Sequence, residues 1–150
     1  SQHKAKDKVA VIYDTMWHST EKMANAIAGG LSEQGVAVRP MHLQKWDRSD
    51  IMAEVLDARA VVIGSPTLNN GLFQYMGDFL TYMKVLKPKN KIWAAFGSYG
   101  CSGESIKLIA QELEAMKFEV IDPGMKVQYV PDEKALAACF ELGKKIGLAM

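Results

Sequence analysis

The chain has 150 residues, with 18 basic side chains against 17 acidic ones and a net charge of +1. That balance excludes a nucleic-acid tail and a polybasic membrane anchor, the length suits one domain with a core covered on two sides, and no apolar run approaches the ~20 residues of a transmembrane helix. Its two cysteines, Cys101 and Cys139, lack ligand-like spacing, so neither a disulfide framework nor a zinc site is indicated.

At the N-terminus, SQHKAKDK is too polar for a signal peptide, and residues 1–7 are expected to be a flexible segment of a soluble, cytoplasmic protein. A start at Ser1 rather than methionine is expected of a processed chain or a piece of a longer protein. Val9 to Tyr13 is a short apolar run of the kind a strand buried on both faces requires, and Asp14 ends it. Thr15, Ser19 and Thr20 place three hydroxyls in the next stretch. Thr20 is expected to cap a helix with Met23, Ala24, Ile27, Ala28 and Leu31 on one face and Gly35 as its stop.

Val36 to Val38 with Met41 and Leu43 predicts a second strand. Trp46 to Arg59 predicts a loop and a short helix, capped by Ser49 or Asp50, with Ile51, Val55 and Leu56 inward. Ala60 to Ile63 is a third strand, followed by Gly64-Ser65-Pro66-Thr67 and a loop to Gly71. Leu72 to Leu86 reads as a helix with Phe73, Met76, Phe79, Leu80 and Met83 at helical spacing. A fourth strand, Lys91 to Phe96, runs into the glycine-rich stretch Gly97 to Gly103. The helix from Glu104 to Met116 turns Ile106, Ile109, Ala110 and Leu113 inward. A fifth strand is drawn from Glu119 to Val130, interrupted at Asp122-Pro123-Gly124, and Asp132 opens a terminal helix through Leu148.

Five strand–helix alternations predict an α/β fold, a doubly wound five-stranded parallel sheet of order 2-1-3-4-5 with helices on both faces. The loops after strands one, three and four then meet at the carboxyl edge, beside the switch point. The first, Thr15, Met16, Trp17, His18, Ser19 and Thr20, leads into a helix N-terminus, where open N–H groups and the dipole favour an anion such as phosphate. It holds no lysine or arginine, so uncharged donors must carry the charge. The second, Pro66, Thr67, Leu68, Asn69, Asn70 and Gly71, offers amide side chains and a peptide able to rotate. In the third, Ser98, Tyr99, Gly100, Cys101, Ser102 and Gly103 combine donors, close backbone approach and an aromatic ring for stacking. A phosphate at one end and a flat polar heterocycle at the other describe flavin mononucleotide, FMN.

YDTMWHSTEKMA, GSPTLNNG and FGSYGCSGES together resemble the flavodoxin-like superfamily over nearly the whole chain and, within it, the flavodoxin domain of flavodiiron proteins. Thr15 to Thr20 stands where the family has T-x-T-G-x-T, with His18 at the usual glycine. The resemblance implies that electrons arrive from rubredoxin or a similar donor, pass through FMN and leave for a diiron site that reduces dioxygen or nitric oxide. It also implies a metallo-β-lactamase-like diiron domain, typically on the other subunit of a head-to-tail dimer. This chain has only His3, His18 and His42 and no H-x-H-x-D-H, so it lacks that domain. Backbone N–H groups from Ser98 to Gly103 are expected to tune the pyrimidine end of the ring, and a carbonyl within Asn69 to Gly71 to accept a hydrogen bond from reduced N5.

Other readings remain at this stage. A free-standing flavodoxin or an NAD(P)H-dependent flavin reductase shares the fold, and a cofactor-free scaffold is the alternative of another class. G-x-x-x-x-G-K-[ST] and G-x-G-x-x-G are absent, and Gly64-Ser65 stands where a phosphoacceptor receiver has an aspartate. His18 is either a proton donor near the phosphate or an exposed loop residue; Trp17 either covers the ring or packs against protein. Cys101 reads as a small filler, and the methionines, His42, Trp46 and Trp93 as packing residues.

Overall fold

Val9, Ala10, Val11 and Ile12 are fully buried at four consecutive positions, which a strand achieves only when both its faces are covered. They form the middle of β1 (Lys6–Tyr13) in a computed structural model that describes residues 6–13, 19–65, 70–86, 88, 91–99, 104–116, 119–128 and 133–150. The other elements are α1 (Ser19–Glu33), β2 (Ala37–His42), α2 (Arg48–Asp57), β3 (Ala58–Ser65), α3 (Asn70–Leu86), β4 (Ile92–Tyr99), α4 (Glu104–Ala115), β5 (Glu119–Gln128) and α5 (Glu133–Ala149). β1 lies between β2 and β3, all parallel, with Val9 opposite both Val38 and Ala60, and β4 continues the sheet beyond β3.

Period-two alternation divides the apolar side chains into two cores. Ala10, Ile12, Val61, Ile63, Trp93 and Ala95 meet α2, α3 and α4 on one face. On the other, Val9, Val11, Ala60, Val62, Ala94 and Phe96 meet α1 and α5. Trp93 is fully buried and Trp46 packs against the first core, as expected of packing residues.

The end of α1 follows from Gly35, whose φ of 75° is readily adopted only by glycine. The Val36 N–H donates to the Leu31 carbonyl at 3.1 Å and the Gly35 N–H to that of Ser32 at 3.0 Å, so the last turn is closed by a Schellman motif. β5 runs beside β4, from Ile92 opposite Glu119 to Tyr99 opposite Gln128, but the register slips on either side of Ala94. Between the pairs Ala94–Asp122 and Phe96–Met125, β5 carries one extra residue. Pro123, with no N–H to give the ladder, lies in that bulge, where the sequence placed the interruption.

Several boundaries differ from expectation. β1 begins at Lys6, inside the segment expected to be flexible, and Thr20 is already helical rather than a cap. β3 includes Gly64 and Ser65, and β4 includes Gly97, Ser98 and Tyr99, because ladder pairing carries both strands through residues that read locally as loop. The cap of α2 is Asp47 rather than Ser49 or Asp50. Its inner face is Ile51, Met52 and Val55, whereas Leu56 is 54% exposed; at ~100° per residue Leu56 falls outside the arc centred on Val55.

Lys91 was not singled out by the sequence, and it is 6% exposed. Its Nζ donates to the Leu56 carbonyl at 3.1 Å and to that of Ala58, satisfying backbone acceptors where α2 passes into β3. Burial pushes its pKa below the ordinary lysine value. Lys8 ties β1 to α2 from outside, pairing with Glu54 and, at 3.2 Å, with Asp57.

Candidate functional site

Tyr13, Ser65 and Tyr99 end β1, β3 and β4 at one edge of a parallel sheet, and the helices that follow these strands start there, at Ser19, Asn70 and Glu104. Chain order reverses between β1 and β3, with α1 on one face and α3 on the other, so their N-termini flank the crevice at the switch point. The ends are staggered. Tyr13 is level with Gly64 and Ser65 with Gly97, while among the described residues Ser98 and Tyr99 pair with Val127 and Gln128 of β5.

Of the expected site residues, Ser19 and Thr20 open α1, Asn70 and Gly71 open α3, and Ser98 and Tyr99 end β4. Asn70 and Gly71 thus occupy a helical first turn rather than a loop. Thr15, Met16, Trp17, His18, Pro66, Thr67, Leu68, Asn69, Gly100, Cys101, Ser102 and Gly103 lie outside the described residues.

One cluster at this edge was missed by sequence reasoning. The Tyr13 ring stacks on His42, with centroids 5.3 Å apart and planes at 8°, and its hydroxyl donates to Glu21 Oε2 at 3.2 Å. The Leu43 N–H donates to the Tyr13 carbonyl at 2.8 Å, fixing the backbone. Two signals were legible: Tyr13 as the polar-tipped last residue of an apolar run, and Glu21 as an acid in the first turn of the helix assigned to an anion.

Burial, helped by the Glu21 charge, pushes the Tyr13 pKa up from 10.0 to about 12. A group whose folded pKa is raised contributes stability that is present below its unfolded pKa and lost as pH rises through the folded one. The Tyr13 contribution is therefore expected to fall between pH 10 and about 12, at roughly 1.4 kcal/mol per pH unit. Denaturant melts across this range should show the slope, and Tyr13→Phe should remove that part of it.

Among the described residues, no group of three or more His, Cys, Asp or Glu is placed to hold a metal ion, and no helix is long and apolar enough to cross a membrane.

A doubly wound parallel α/β fold with its crevice at the β1/β3 switch point is the flavodoxin-like class. The chain belongs to the flavodoxin family, whose sequence model matches residues 11–143. FMN is that family's cofactor. The nitric oxide reductase of Moorella thermoacetica is 45% identical over 147 residues, covering 97% of this chain and 37% of that protein. The rubredoxin oxygen:oxidoreductase structure from Desulfovibrio gigas superposes with a TM-score of 0.92 at 42% identity, over 98% of this chain and 37% of the other. The flavodiiron protein of Giardia intestinalis gives 0.90 at 29%, over 95% and 36%. The chain thus spans little more than a third of these relatives and corresponds to the flavodoxin-like part of flavodiiron proteins.

Proposed function

We propose that residues 1–150 form one FMN-binding domain, built on the complete five-stranded sheet of order 2-1-3-4-5, that carries electrons for a larger oxidoreductase. The observation that supports this most is the meeting of three strand ends and three helix starts at the β1/β3 edge. Thr15, Met16, Trp17, His18, Ser19 and Thr20 would take the phosphate, Pro66 to Gly71 one side of the ring, and Ser98 to Gly103 its pyrimidine end.

The donors fit the group. α1 is 15 residues long, so its first-turn N–H groups and dipole offer an uncharged anion site, with Ser19 and Thr20 adding hydroxyls. Ser98 and Tyr99, at the carboxyl end of β4 and paired with Val127 and Gln128 of β5, would lead the chain into the segment that meets the ring. Asn70 and Gly71 open α3, so their carbonyls accept from the next helical turn, and rotation there would cost a helical hydrogen bond. Of the range Asn69 to Gly71, the rotating carbonyl is therefore assigned to Asn69. FMN, when bound, supplies the redox chemistry, and the protein holds, orients and electrostatically tunes it.

Reduction of dioxygen or nitric oxide would belong to a diiron domain outside this chain, and rubredoxin or a similar protein would be the electron donor. The names of the Moorella and Desulfovibrio relatives support both assignments. The absence of any membrane-crossing helix among the described residues accords with a cytoplasmic protein.

Titrating flavin-free protein with FMN and with riboflavin tests this reading through quenching of flavin fluorescence. One FMN is expected per chain, with riboflavin at least about tenfold weaker because it lacks the anion that α1 holds. Equal affinity for the two, or no binding, would overturn the reading.

A further inference from the structure

We propose that Gly64 and Phe96 act together as a positioning pair for the flavin site: the bare backbone of Gly64 admits the Phe96 ring between the sheet and α1, and that ring sets the height of α1 over the sheet edge. The inference rests on the function proposed above.

The pair lies in the last register row to which β1 and β2 contribute. His42, Tyr13, Gly64, Phe96 and Met125 are successive partners across the five strands. Tyr13 and Phe96 both belong to the core shared with α1 and α5. Along that face β3 presents Ala60 and Val62, then Gly64, and the ring of its neighbour fills the place a side chain would take. A Cβ on Gly64 would stand 2.2 Å from Phe96 Cζ and 2.6 Å from Cε1 and Cε2. The ring therefore reaches across β3.

Glycine weakens a strand interior and marks a place where another group must come close. Valine at 64 with a smaller residue at 96 would fill similar volume, so packing alone does not call for this exchange. What the ring adds is a wide, rigid surface in the core that holds Met23, Ala24 and Ile27 of α1, all fully buried with Phe96. Interiors this dense pass a displacement on to the next layer. Carbon atoms in contact stand ~3.5 Å apart or more, so a methyl group at 64 would drive the ring back by about 1 Å. Hydrogen-bond lengths vary by only about 0.5 Å, so the same shift of α1 would misplace its donors for a phosphate. α3 lies on the opposite face and is not supported by this ring.

FMN and riboflavin titrations of the wild type, Gly64→Ala, Phe96→Leu and the double variant test the assignment, with urea melts alongside. Gly64→Ala is expected to weaken FMN about tenfold and riboflavin less than about threefold, because the displaced helix serves the anion. Phe96→Leu, which keeps Gly64, should lower the preference for FMN over riboflavin about threefold by letting α1 settle, and the double variant should return that preference to within about twofold of wild type. Equal weakening of both flavins in either single variant, an unchanged preference in Phe96→Leu, or a double variant no better than the worse single one overturns the inference and leaves the proposed function standing. Wild-type protein that binds FMN no better than riboflavin overturns both.

Discussion

Gly30→Ala is expected to lower the unfolding free energy by about 2–3 kcal/mol, although the same exchange in an exposed helix interior gains up to ~1 kcal/mol. The reversal comes from the crossing of α1 and α5. A Cβ on Gly30 would stand 2.0 Å from the backbone oxygen of Phe140, and one on Gly143 would stand 2.1 Å from that of Ile27. Both obstacles are main chain, so no side chain can turn aside and the helices must move apart. Gly29, one residue earlier, supplies the control: its added Cβ meets only the Phe140 ring, at 3.4 Å. Gly29→Ala should be neutral or stabilising by up to ~1 kcal/mol. Urea unfolding of Gly29→Ala, Gly30→Ala and Gly143→Ala should separate the first from the other two. Equal stability for all three would mean that the helices are not in backbone contact. Because the other end of α1 opens the proposed phosphate site, the two destabilised variants should also bind FMN less well.

Ser19→Asp is expected to move stability and affinity in opposite directions. An acidic residue in the first turn interacts favourably with the helix dipole, so unfolding free energy should stay level or rise by up to ~1 kcal/mol. The same charge would face the FMN phosphate, and like charges brought together cost several kcal/mol, so FMN affinity should fall about a hundredfold. Riboflavin affinity should hardly change. Parallel melts and flavin titrations decide the matter, and a variant that kept FMN affinity would move the phosphate away from the start of α1.

The sheet interior was legible from residue type alone. Four buried apolar residues in succession, in Val9 to Ile12 and again in Ala60 to Ile63, can satisfy only a two-sided sheet, and Gly35 marked the end of α1 through its backbone freedom. The carboxyl edge was less legible because its residues answer to partners distant in sequence. Gly64 reads as a loop residue, yet it pairs with Phe96, whose ring occupies the space a Gly64 side chain would need. Met52 and Leu56 are both apolar and one helical turn apart, and only the direction from which the sheet meets α2 buries the former and exposes the latter. Lys91, read as an ordinary strand-initial lysine, proved to be the donor that closes the α2–β3 junction.

The site itself divided similarly. The sequence names hydroxyl-bearing residues before α1 and a glycine-rich stretch before α4, most of which lie outside the described residues. The pairing of Tyr13 with Glu21 could not be read there, because it depends on the strand end lying beside the first turn of α1.

A crystal structure of the chain grown with excess FMN tests the central claim most directly. The account predicts the phosphate against the first turn of α1 at Ser19 and Thr20, with the ring between the segments that precede α3 and follow β4. Flavin bound at any other surface, with this edge filled by solvent, would contradict it.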